Sequence, residues 1–106
     1  MSPPRRAIIT VTSASAPLHG PGHITGLFIS EALHPYQVFT KAGFEVDFVS
    51  EKGTYTPDWL SLQPDFLNGD DLKEWEDANS EFRKKLDNMY TPPDVDPSKV
   101  SRYLTL

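Results

Sequence analysis

The run Ala7-Ile8-Ile9-Thr10-Val11-Thr12 is apolar or β-branched at nearly every position, with no polar alternation. A strand of this kind must be buried on both faces, a condition met in parallel sheets covered by helices on each side. It predicts a central strand over 7–12. The strand passes into Ser13 to Gly22, rich in Ser, Ala, Pro and Gly, which reads as a loop leaving its carboxyl end. In α/β folds that end carries the binding chemistry.

From Thr25 the period changes. Leu27, Phe28, Ala32, Leu33, Tyr36, Phe39 and Ala42 recur at helical spacings, with Thr25 as the expected N-cap. Pro35 removes one donor and crowds the Glu31 carbonyl, so the helix is expected as two pieces, the second starting near Pro35. Gly43 fits a left-handed terminator. Phe44 to Val49 alternates and then turns fully apolar, which marks a second strand. Strand, loop, broken helix and strand make one right-handed, parallel βαβ unit.

Ser50 to Leu67 reads as a long irregular loop with apolar anchors, Trp59, Leu60, Leu62, Phe66 and Leu67. After Asp70 and Asp71, the stripe Leu72, Trp75, Ala78, Asn79, Phe82, Leu86 and Met89 predicts one amphipathic helix, acidic early and basic late. Thr91 to Pro97 then forms an extended connector. Ser98 to Leu106 offers at most one strand's worth of residues. The expected fold class is α/β: an incomplete doubly wound, flavodoxin-like parallel sheet with one βαβ unit plus an added amphipathic helix. Two strands cannot close such a sheet, so the fold reads as unfinished.

Fifteen acidic against ten basic residues give a net charge of -5, which opposes nucleic acid and anionic membrane surfaces as partners. The longest apolar stretches fall far short of the ~20 residues that cross a bilayer. The amino terminus lacks the apolar core of a secretory signal, which points to the cytosol or nucleus. The sequence has no cysteine, so it holds no disulfide, thiolate metal site or cysteine nucleophile.

Three blocks carry a resemblance: Glu31-Ala32-Leu33-His34-Pro35; Lys41-Ala42-Gly43-Phe44-Glu45-Val46-Asp47-Phe48-Val49-Ser50; and Asp65-Phe66-Leu67-Asn68-Gly69. In this order and spacing the chain resembles the fungal heat-shock branch of the ThiJ/PfpI superfamily, related in fold to class I glutamine amidotransferases. The resemblance runs from about Ala7 to Val100 and covers only the first half of family members. Residues 1–106 are accordingly expected to be the N-terminal part of a single such domain, with 101–106 a divergent ending.

The resemblance implies a glutathione-independent glyoxalase, a lyase or D-lactate dehydratase that converts methylglyoxal, a small dicarbonyl, to D-lactate without a cofactor, and also a stress-induced chaperone. The family's chemistry uses a cysteine at a strand-to-helix elbow, a neighbouring histidine and a glutamate from the first helix. The position matching that glutamate is Glu31. Its place in an otherwise apolar helix, weighed with the motif match, points to burial and a raised pKa suited to proton exchange; on position alone the alternative is a solvated glutamate on the outer helix face.

The family's third strand is expected near Ser101, and Arg102-Tyr103-Leu104-Thr105-Leu106 does not match it. A truncated or misread reading frame, an alternative transcript and a degenerate copy all fit this departure. The expectation is a chain inactive alone. The alternative is a non-catalytic, holdase-like interaction module that pairs through an exposed sheet edge, as a homodimer or with a full-length paralogue.

His19 and His23 flank Gly20-Pro21-Gly22, which disfavours the helix that would bring two imidazoles together, and no third ligand is evident, so no metal site is expected. Gly20, Gly22 and Gly26 lack the spacing of a dinucleotide or Walker loop. His34 is expected to pack or cap locally.

Overall fold

The computed structural model of the chain describes residues 5–16 and 24–106. Strand β1 (Arg6–Thr10) lies between β2 (Glu45–Val49) and β3 (Arg102–Thr105), and both neighbours run parallel to it. Ile9 pairs with Phe48 on one side and Leu104 on the other. The unbroken apolar run behaves as its composition requires: Ala7, Ile8 and Ile9 are all buried, with successive side chains on opposite faces of the sheet. The closing residues, expected to hold at most one strand, supply β3.

Helix α1 (Ile29–Lys41) follows the first loop and lies on the sheet. Its N-cap is Phe28 and not Thr25, whose N–H and hydroxyl are both spent on the Ala16 carbonyl at 2.7 and 2.9 Å. Pro35 sits inside a single helix, contrary to the expected break. The lost hydrogen bond and ring clash cost ~3 kcal/mol. Ile29, Leu33 and Tyr36, fully or nearly buried on one face, each return roughly 1.5–3 kcal/mol only if the helix runs through.

The helix ends as its sequence predicts. Gly43 has φ +90°, its N–H donates to Thr40 O, and the Phe44 N–H reaches back to Phe39 O at 3.0 Å. The Phe39 and Phe44 rings, 5.4 Å apart, close the motif with an apolar contact.

The expected single helix over 70–89 is two helices, α2 (Gly69–Glu76) and α3 (Glu81–Leu86). Polar side chains make the break. Asp77 Oδ1 accepts the Asn79 N–H, while the Ser80 hydroxyl donates to Glu74 O and accepts the Arg83 N–H as N-cap of α3. Ala78 and Asn79 are exposed, whereas Leu72, Trp75, Phe82, Leu86 and Met89 still pack on the core. The rings of Tyr36, Phe48 and Phe82 lie 5.4 to 6.0 Å from one another and join α1, β2 and α3.

The sheet's second face has thinner cover. The segment expected as an extended connector folds instead into 3-10 turns at Pro92–Asp94 and Pro97–Lys99, each capped by its own Asp or Thr side chains. Beneath it lie two open cavities of about 290 and 190 Å³, which share Ile8 and Val95 as lining residues. At the β2 edge Asp47, 7% exposed, accepts hydrogen bonds from Arg6 (3.1 Å) and Lys85 (3.0 Å). The hydrogen bond and charge of Lys85 also hold the Glu45 carboxyl below its ordinary range.

Candidate functional site

The site is built from the loops beyond the carboxyl ends of β1 and β2. Residues 24–27 and 56–59 are zipped together: Leu27 N–H donates to Thr56 O (2.7 Å), Asp58 N–H to Leu27 O (2.8 Å), and Trp59 N–H to Ile24 O (2.8 Å). Asp58 is the clamp of this junction. One carboxylate oxygen accepts the Gly26 N–H, and the other accepts the N–H groups of Leu60 and Ser61. Gly26 serves close approach and not a phosphate cradle, since a Cβ there would lie 2.0 Å from Thr56 O.

This junction fixes where α1 starts, and Glu31 occupies its first turn, with its N–H bonded to Phe28 O at 3.1 Å. Glu31 is exposed, and the burial expected of it is not observed. The reason is angular: Ile29, Ala32, Leu33 and Tyr36 form the sheet-facing stripe, and Glu31 falls on the opposite side with Val38. Its carboxylate makes no hydrogen bond or ion pair among the described residues. Apolar side chains surround the helix entry. Phe28 meets Phe66 edge to face at 5.2 Å, and Ile24, Leu60 and Phe66 are all at least 40% exposed.

His34, one turn on, joins α1 to α2. Its Nε2 lies 2.9 Å from Asp71 Oδ2, and the Gln37 side-chain amide donates to Asp71 Oδ1 and Glu74 Oε1. Hydrogen bonds from His34 and Gln37 hold the Asp71 carboxyl below its ordinary value. His19 and His23, with Gly20 and Gly22, lie outside the described residues. Among the described residues no three His, Cys, Asp or Glu side chains converge as metal ligands, and no helix is long and apolar enough to cross a membrane.

Sequence reasoning missed Asp58 and Asp47. Asp58 stands three residues before Ser61 at a turn start, the spacing of a capping side chain, which was a readable signal. Asp47 gave none beyond being a charge within a strand, because its partners Arg6 and Lys85 are remote in sequence.

No protein-family model matches the chain. Glyoxalase 3 of Candida albicans is 41% identical over 93 residues, which are 88% of this chain and 39% of that protein. The glutathione-independent glyoxalase HSP31 of Saccharomyces cerevisiae is 44% identical over 92 residues, again 39% of its length. The chain thus spans about two fifths of the curated relatives it matches. The crystal structure of glyoxalase III from Candida albicans superposes with a TM-score of 0.86 at 38% identity, covering 93% of this chain and 41% of that one. By sequence and by backbone, the chain is homologous to the N-terminal part of the glutathione-independent glyoxalases of the ThiJ/PfpI type.

Proposed function

We propose that these residues form the Glu31-bearing part of a glyoxalase site for a small 2-oxoaldehyde such as methylglyoxal, and that the 106-residue chain alone performs no turnover. The observation that carries this reading is the place of Glu31. It sits in the first turn of α1, past the carboxyl end of the central strand, on a backbone that follows glyoxalase III.

Conversion of a 2-oxoaldehyde to a 2-hydroxyacid consumes water, oxidises the aldehyde carbon and reduces its neighbour, so a proton must leave one carbon and return to the next. Glu31, at the helix entry, is the group assigned to that transfer. A nucleophile must first add to the aldehyde carbon, and the sequence contains no thiol to do so.

The purified chain with methylglyoxal is expected to yield no D-lactate above buffer; steady turnover would overturn the inactivity claim. The role of Glu31 is tested in a chimera in which residues 1–100 replace the corresponding part of Candida albicans glyoxalase 3. Glu31→Gln in that chimera should lower kcat roughly 10²–10⁴-fold, and unchanged kcat removes Glu31 from the chemistry.

A second reading, a holdase-like module, is favoured by the outer edge of β3, which has no neighbouring strand among the described residues, beside the exposed Tyr103. Suppression of client aggregation by the chain without turnover supports it, and the absence of suppression rejects it.

A further inference from the structure

We propose that Asn68-Gly69 is a spontaneous deamidation site, and that its conversion to isoaspartate loosens α2 from α1. In this reaction the backbone nitrogen of Gly69 attacks Asn68 Cγ, a new N–C bond closes a five-membered imide, and the side-chain amide leaves as ammonia. Water then opens the ring at either carbonyl to give aspartate or isoaspartate. No oxidant, reductant or enzyme is required.

Several features of this junction converge on the reaction. Both residues are exposed, and Gly69, at φ +58°, carries no side chain and meets none of the described residues beyond its chain neighbours and its own helix where a Cβ would stand. As the first residue of α2, Gly69 has an N–H with no acceptor among the described residues, so deprotonating it breaks no helical bond. Asn68 is an N-cap whose side chain caps nothing; it donates to Pro64 O instead.

Ring closure requires Asn68 to turn from ψ 176°, giving up that contact and the Leu72 N–H bond to Asn68 O. Helix α2 contains no fully buried residue, so this opening is local and cheap. Asn79 provides a contrast: the N–H that would attack it belongs to Ser80 and is already bonded to Asp77 O at 3.0 Å.

Isoaspartate routes the backbone through the former side chain and inserts a methylene at the N-cap. Asp71 stands three residues further on, and it accepts from His34 and, together with Glu74, from Gln37 in the contacts that hold α2 to α1. Lengthening the backbone before it shifts that carboxylate away from α1.

The test is incubation of the intact chain at neutral and mildly alkaline pH, followed by peptide mapping and labelling with an isoaspartyl methyltransferase. Asn68 is expected to convert before Asn79 or Asn88 has measurably reacted, at a rate that rises with hydroxide. Hydrogen exchange across 69–76 should accelerate in the isoaspartyl fraction. Asn68→Gln, which cannot form the five-membered ring, and Gly69→Ala should both abolish early conversion. A peptide spanning 64–72 sets the unprotected rate. If that peptide converts while Asn68 in the folded chain does not, the site is refuted; conversion with unchanged exchange across 69–76 refutes the loosening.

Discussion

Alanine at position 26 would drive its Cβ into Thr56 O, a backbone atom that cannot swing aside as a side-chain tip would. Either the Leu27 to Thr56 hydrogen bond breaks or the two loops separate. Gly26→Ala is therefore expected to cost about 3 kcal/mol, read as a lowered urea midpoint with unchanged slope. Asp71 is one of the carboxyls, with Glu45, that make stability depend on pH. Its pKa is lowered in the folded chain, so its contribution is present above its unfolded value near ~3.9 and is lost as pH falls through the lower folded value. For so accessible a pair the effect is roughly 0.5 kcal/mol. The stability gap between the wild-type chain and Asp71→Asn should narrow as the solution is acidified through that window, and a gap that widens would contradict the assignment.

At the scale of elements, α2 and α3 show what apolar spacing can and cannot reveal. The stripe from Leu72 to Met89 named five residues that reach the core, Leu72, Trp75, Phe82, Leu86 and Met89, but also Ala78 and Asn79, which are exposed at the break. It did not reveal the break, since a polar segment that bonds to its own backbone leaves no mark in an apolar count. Asp77, Asn79 and Ser80 supplied that signal through their chemistry. The reverse holds for Pro35, where a local rule predicted two pieces and packing overrode it. Glu31 follows the same logic: its element was legible, but its exposure depended on which helix face meets the sheet. Ser80→Ala removes the one side chain that both caps α3 and holds the end of α2, and should cost ~1 kcal/mol or slightly more in thermal or urea unfolding. The same substitution at Ser98, where Asp96 is the cap, should be nearly neutral.

The whole molecule is a three-stranded parallel sheet with helices on one face, a short connector on the other, and an outer β3 edge without a neighbour among the described residues. Parallel strands are stable when covered, and a free edge next to an exposed tyrosine is a template for a further strand. Sedimentation is expected to show concentration-dependent association of the chain, and Tyr103→Lys with Thr105→Lys should shift it toward monomer. Equal association by the doubly charged variant would move the contact elsewhere, with the apolar entry of α1 the next surface to change. The pairing of Ala7 with Arg102 also has a kinetic consequence. The central strand emerges from a ribosome long before one of its two partners exists, a delay of roughly 5–20 s at ordinary rates of synthesis. Throughout that interval one whole side of the most apolar segment in the chain is unpaired. The hazard for this protein therefore lies in the nascent chain more than in the finished fold, and slowing translation should lower soluble yield even where native stability is unchanged.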